Sequence, residues 1–238
     1  MALLVIAHRG ASGTRPENTL TAFRRAESLG AHMIELDVQL TADGEVVVLH
    51  DWTLDRTTDG RGAVRDAAFA DVRALDAGSW FDPAFRDERV PRLADVLAAV
   101  ALPINVELKP VGDDGLEARA LAVVDAAGAG DRVEFSSFDP GALGRLRARA
   151  PAARLAVLWD EGPVADAVHL AERVGARALH LRKDRVTAAA VATAAAARLP
   201  VRAWTVNDPS ESRRLAALGV SGIFTDFPER FLLLADAE

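Results

Sequence analysis

From Pro91 onward the sequence alternates short, mostly apolar runs with longer segments of helical period, and that rhythm leaves few folds open. Residues 104–108, 132–135, 154–158, 178–181, 201–205 and 222–225 read as strands. Between them, helices are predicted over 116–127, from Asp139, over 163–174, 187–198 and 208–218, and through Leu234 at the end. Asp139-Pro140 and Asp208-Pro209 are strong helix starts. Aspartate can accept from the unpaired N–H groups of a first turn, and proline there gives up no hydrogen bond. The strand runs are short and apolar throughout, as expected where a parallel strand is covered on both faces.

The first ninety residues fit the same scheme with one interruption. A run at 3–7 ends abruptly in His8-Arg9-Gly10 and precedes a helical segment over 18–29. Residues 33–38, MIELDV, place Glu35 and Asp37 on one strand face. Thr41-Ala42-Asp43-Gly44 predicts a hairpin turn into a second run, 45–49, which closes on His50 and Asp51. From about 52 to 90 the texture changes to glycine, proline and charge, with Trp80, Phe81 and Phe85 near its end, and a helix over 92–100 follows. Without the hairpin arm there are eight strand–helix units in 238 residues. That count fits a closed parallel barrel better than an open doubly wound sheet. No glycine fingerprint for a dinucleotide or a P-loop follows any strand. The expectation is α/β: a TIM (β/α)8 barrel, one domain over 1–238, with a small insertion at about 52–90 after the second unit.

Composition narrows the chemistry. The cysteine count is zero, which excludes thiolate metal sites and cysteine nucleophiles and fits a reducing compartment. Net charge is −7 with scattered arginines, so a nucleic-acid partner is not expected. No stretch approaches the roughly 20 apolar residues that span a bilayer. The opening run lacks the basic flank and cleavage site of a leader. The protein is expected to be soluble and cytoplasmic, without stable membrane insertion.

In such a barrel, side chains at the carboxyl ends of the strands converge on one face. Glu35, Asp37 and Glu107 would meet there, and like charges held that close need a cation between them. Oxygen donors without thiolate suit a hard divalent ion, Mg²⁺ or Ca²⁺. The bland alternative is a solvated strand face. His8 and His50 each close an apolar run on the same rim, and two imidazoles can divide a reaction into general base and general acid. Arg9 and Lys109 would supply positive charge for an anionic group, or would only neutralise the carboxylates. His32, His169 and His180 read as structural.

These residues occur within a longer ordered set: His8-Arg9-Gly10, Glu17-Asn18-Thr19, Glu35-x-Asp37, His50-Asp51, Leu54-x-Arg56-Thr57-Thr58, Pro91-x-Leu93, Glu107-x-Lys109, Ser136-Ser137-Phe138, Trp204-Thr205-Val206-Asn207 and Gly222-Ile223-x-Thr225-Asp226. In that order and over nearly the whole chain, the set resembles the glycerophosphodiester phosphodiesterases. The resemblance implies a metal-dependent phosphoric diester hydrolase of lipid and glycerol metabolism. It would release sn-glycerol 3-phosphate and an alcohol from a small glycerophosphodiester. Glu35, Asp37 and Glu107 would ligate the metal, and His8 and His50 would be the acid–base pair. Arg9 and Lys109 would bind phosphate, Glu17 would support the site, and Phe138 and Trp204 would line the pocket. Either water or the glycerol 2-hydroxyl would attack phosphorus, the latter through a cyclic phosphate. Gly10 and Gly13 would let the backbone turn close beside the phosphate. Arg92 and Ser221 depart from the commoner family residues, in places that bear on packing.

Two rivals remain at this level. A lysophospholipase D of the same superfamily would use Trp80, Phe81 and Phe85 as an apolar lid. A non-catalytic phosphodiester-binding protein would be expected to lack one of the histidines or carboxylates. An amidohydrolase is disfavoured, because its first strand should end in His-x-His.

Overall fold

The structure, a computed structural model, describes residues 3–232. The end of the predicted terminal helix, beyond Leu232, lies outside them. The strands are β1 (Leu4–Ala7), β2 (Met33–Leu40), β3 (Val46–Val48), β4 (Ile104–Leu108), β5 (Val133–Ser137), β6 (Arg154–Trp159), β7 (Ala178–Arg182), β8 (Val201–Trp204) and β9 (Gly222–Thr225). The helices are α1 (Leu20–Ser28), α2 (Phe69–Ala74), α3 (Leu93–Ala99), α4 (Leu116–Ala126), α5 (Pro140–Arg149), α6 (Val164–Val174), α7 (Ala188–Ala196), α8 (Pro209–Ala217) and α9 (Glu229–Leu232).

The sheet runs β1-β9-β8-β7-β6-β5-β4-β2-β3 and closes on itself through β1–β2. Every pairing is parallel except β2–β3, which is the hairpin arm predicted from the Asp43-Gly44 turn. This is the expected TIM barrel. The barrel strands are buried nearly end to end, because helices cover their outer faces and packed side chains fill the lumen. Asp139 and Asp208 cap α5 and α8 as predicted, accepting from the N–H groups of Gly141 at 2.8 Å and Ser210 at 2.7 Å. The first helix starts two residues later than its apolar pattern suggested. Thr19 caps it instead, and Asn18 holds a left-handed backbone, φ 58°.

The insertion leaves the sheet after the β2–β3 hairpin and returns at α3. It therefore splits the second unit between its strand and its helix, instead of following the whole unit. It carries α2 and two short 3₁₀ turns, and has its own apolar cluster of Val47, Leu49, Leu54, Val64, Val72, Ala77 and Val90. Arg92, one of the two unusual residues, reaches across this junction. Its guanidinium pairs with Asp95 at 3.0 Å and lies 5.4 Å from the Phe69 ring centre on α2.

Candidate active site

Strand register builds the site. β2 and β4 pair so that Glu35 faces Asn105 and Asp37 faces Glu107. Glu35, Asp37 and Glu107 each place a carboxylate oxygen within 4.8 Å of the others. Glu35 and Asp37 are 2% and 1% exposed, so their charges are not dispersed by water. Burial, with Asp37 and Glu107 beside it, pushes the Glu35 carboxyl well above the usual range, and burial and Asp37 raise Glu107 as well. Asp37 goes the other way: burial would raise it, but Arg9 and Lys109 outweigh that and lower it. Three oxygen donors that cannot all ionise comfortably fit a hard cation, which would relieve the repulsion.

Arg9 knits this cluster to the first strand. Its backbone, φ 55°, turns its N–H to Glu35 at 2.9 Å. Its guanidinium lies 2.8 Å from Glu17 and 3.3 Å from Asp37. Asn18, in its left-handed conformation, donates to the other side of Asp37 at 2.9 Å. Lys109 sits 3.1 Å from Glu107 and 3.7 Å from Asp37. Both cations are thus paired with carboxylates here, while both also face the cavity.

Each histidine is held at Nδ1 by an aspartate. His8 donates to Asp226 at 2.7 Å, across the seam where β1 meets β9. Asp226 also accepts from Ser12 Oγ at 3.1 Å and Asn207 Nδ2 at 2.6 Å. Burial would raise the Asp226 pKa, but these donors, His8 first, hold it at about 2. His50 donates to Asp51 at 2.7 Å, and Arg56 clamps Asp51 from the far side at 2.6 and 2.9 Å. Arg56 also grips Glu17 twice at 2.8 Å, so one guanidinium ties the His50 arm to Arg9. Burial lowers the His50 pKa, against the pull of Asp37.

His8, Arg9, Glu35, His50, Glu107 and Lys109 face one cavity of about 210 Å³. Its opposite wall is apolar, with Leu158, Phe224 and the edge-to-face pair Phe138 and Trp204, ring centres 5.6 Å apart. Phe138 is 42% exposed, unusual for a packing residue and natural for a pocket wall. Every predicted site residue is therefore in or beside this cavity, Asp37 as part of the carboxylate cluster and Glu17 through its ion pair with Arg9.

Of the supporting residues, Asn18, Asp51, Arg56, Asn207 and Asp226 stand in the ordered motif set without an assigned role, and Ser12 lies outside that set. The dipeptides His50-Asp51 and Thr225-Asp226 were visible, but nothing local told which donor each aspartate would meet. One expectation needs correcting. Trp80, Phe81 and Phe85 pack edge-on against one another, with Arg56 and Arg15 over them, and do not line the cavity. The two glycines make room for protein packed behind them. A Cβ on Gly10 would lie 2.7 Å from the Ala22 backbone, and one on Gly13 would enter the Phe227 ring. His180 is structural, fully buried beside Glu134 at 3.5 Å and edge-on to Phe224 under the cavity floor.

Known proteins are similar to this chain over nearly its whole length. Residues 8–230 match the glycerophosphoryl diester phosphodiesterase family. A glycerophosphodiester phosphodiesterase of Caldanaerobacter subterraneus subsp. tengcongensis is 38% identical over 239 residues, 98% of each chain. The fold is similar to that of an Oleispira antarctica phosphodiesterase solved with the product sn-glycerol-3-phosphate. That match has a TM-score of 0.92 and 33% identity, covering 98% of this chain and 96% of the other. A glycerophosphodiester phosphodiesterase of Thermotoga maritima gives a TM-score of 0.80 at 29% identity, covering 98% and 99%. A match that begins at His8 and ends within the last helix takes in both histidine arms and all three carboxylates, and the chain belongs to the glycerophosphoryl diester phosphodiesterase family.

Proposed function

We propose that this chain hydrolyses small glycerophosphodiesters to sn-glycerol 3-phosphate and an alcohol, as a one-domain cytoplasmic enzyme that requires a divalent cation. The observation that carries the reading is the convergence of two aspartate-held imidazoles, three carboxylates and two cations on one cavity with an aromatic wall. Glu35, Asp37 and Glu107 would hold Mg²⁺ or Ca²⁺, which when bound supplies charge neutralisation at the phosphate. Arg9 and Lys109 bind the phosphate oxygens. Glu17 keeps the Arg9 guanidinium turned inward, and Phe138 and Trp204 pack on the glycerol carbons.

With Nδ1–H given to a carboxylate, Nε2 is the nitrogen of each ring that exchanges a proton with substrate. The two arms are not equivalent. Asp226 is supported by the neutral donors Ser12 and Asn207, so its full charge is available to stabilise an imidazolium at His8. The charge of Asp51 is shared with Arg56. This suits His8 to protonating the leaving alkoxide and His50 to deprotonating the attacking hydroxyl. The glycerol 2-hydroxyl is the attacking group we favour: its bond to phosphorus forms as the bond to the alcohol breaks. Water then opens the resulting cyclic phosphate at the 2-oxygen, with His8 taking the proton of the water and His50 returning one to that oxygen. A diester lacking that hydroxyl but turned over at the full rate would remove it from the mechanism.

The absence of Trp80, Phe81 and Phe85 from the cavity favours small diesters over lysophospholipids. The test is turnover of glycerophosphocholine against a lysophospholipid, with and without chelation, reading glycerol 3-phosphate, for the protein and for His8→Ala and His50→Ala. Undiminished hydrolysis by both variants would end the acid–base assignment. Undiminished hydrolysis after metal removal would end the metal assignment.

A further inference from the structure

Beside the active-site cavity, and sharing Lys109 with it, lies a groove of about 480 Å³ between the insertion and the loop after β4. It continues past Leu40, Arg65, Val111 and Asp114 into a second hollow of about 460 Å³ that reaches Arg119. Each is many times the roughly 30 Å³ share of one water. Trp52 stands at the junction. It follows His50 by two residues, its ring centre is 5.9 Å from Lys109 Nζ, and it is 48% exposed. Val111, 39% exposed, also lines the groove. Together Trp52 and Val111 give the groove an apolar entrance.

The polar groups say what kind of molecule. Asp114 faces the groove, but its two oxygens accept the N–H groups of Val111 at 2.9 Å and Leu116 at 3.1 Å. Asp43, farther out, accepts the Thr41 hydroxyl at 2.6 Å and the Phe69 N–H at 3.0 Å through one oxygen. The guanidinium groups are less committed. Among the described residues Arg65 has only Asp66 as an ion-pair partner, at 3.9 Å, and Arg119 has no carboxylate within ion-pairing distance. The groove therefore offers donors with spare capacity beyond an apolar entrance, and few spare acceptors.

We propose that this groove receives the leaving alcohol, and that Arg65 and Arg119 select alcohols bearing a further anionic group, a phosphate or a carboxylate, at their far end. The inference rests on the hydrolytic reading above. It makes Arg65 and Arg119 specificity determinants that touch neither the metal-binding carboxylates nor the histidines. Electrostatic selection of this type acts through binding, because the contact is the same before and during bond cleavage.

The experiment compares the protein with the Arg65→Ala/Arg119→Ala double variant on four diesters of sn-glycerol 3-phosphate. Their alcohols are choline, glycerol, glycerol with a terminal phosphate, and glycolate. Both arginines are exposed, so the variant should fold. The expected result is a rise in KM of about tenfold for one or both anionic substrates at unchanged kcat, converted from exposed charge-pair energies. The glycerol diester should shift by less than twofold, and the choline diester should bind no worse. Equal shifts on all four substrates, or none on the anionic ones, would overturn the proposal. A parent protein that cleaves none of the four overturns the hydrolytic reading itself, and this inference with it.

Discussion

Replacing Asp226 with asparagine is the sharpest test of how the His8 arm works. Asn207 cannot rotate to accommodate the change. Its Oδ1 already accepts from Thr225 Oγ1 at 3.0 Å and from the Asp226 backbone N–H at 2.9 Å, which fixes its Nδ2 as a donor toward residue 226. The new amide must turn its oxygen to Asn207 and its NH₂ to His8. The His8 Nδ1 then becomes an acceptor, and the proton moves to Nε2, the nitrogen meant for substrate. The other orientation sets two NH₂ groups against each other. The shape of the site is kept and the tautomer is wrong, a defect that lowers kcat by roughly 10²- to 10⁴-fold with little change in KM. Stability should fall too. A folded-state pKa of about 2, against an ordinary 3.8, corresponds to about 2 kcal/mol at neutral pH. Because the folded pKa is depressed, that contribution exists above pH 3.8 and fades as pH falls toward 2. The assay is steady-state release of glycerol 3-phosphate, paired with a denaturant titration. An Asp226→Asn protein that folds and keeps kcat within about threefold of the parent would refute the tautomer argument.

Other predictions concern the cation cluster and the first turn. Saturating Mg²⁺ or Ca²⁺ should raise the unfolding midpoint, by the equivalent of about 2.7 kcal/mol at a hundredfold excess over Kd, and Glu35→Gln/Asp37→Asn should abolish the rise in a thermal melt. In the metal-free protein, Glu35 and Glu107 have raised pKa values, so stability should decline as pH climbs from the ordinary glutamate range toward neutrality. Denaturation curves with added cation should lose that slope; a slope unchanged by cation contradicts the shared-charge picture. Gly10→Ala should cost roughly 2–4 kcal/mol in chemical denaturation, since φ is +83° and the methyl meets the Ala22 backbone. Arg56→Ala should cost at most about 1 kcal/mol of stability, because the side chain is 43% exposed. It should lower kcat by about tenfold as Asp51 and Glu17 lose their common clamp, and an unchanged kcat would show that clamp to be idle.

Much of this protein is legible from periodicity. The barrel follows from eight buried strand runs, and the groups of the candidate site follow because His8, Glu35, Asp37, His50, Glu107 and Lys109 lie at or near the ends of such runs. What is not legible is pairing over distance. Asp226 lies 218 residues from His8, and only closure of the barrel makes them neighbours. Arg56 sits in a segment without regular period, where pattern carries no information about direction. The aromatic residues of the insertion show the same limit. Trp80, Phe81 and Phe85 formed the obvious cluster, yet Trp52, isolated in sequence, stands beside Lys109. The glycines near His8 are constrained by α1 and Phe227 behind them, contacts that local sequence does not announce.

The β1–β9 seam carries a consequence for how the molecule matures. The backbone N–H of His8 bonds to Thr225 at 2.9 Å, and its ring bonds to Asp226. One arm of the candidate site is thus formed at the end of the barrel's first strand and completed just beyond its ninth. Domains emerge and begin to compact from the amino end. A nascent chain can therefore assemble the carboxylate cluster and the His50 arm long before His8 has its partner. A chain that stops short of β9 would leave His8 without its carboxylate, so turnover would report whether the seam between β1 and β9 has closed.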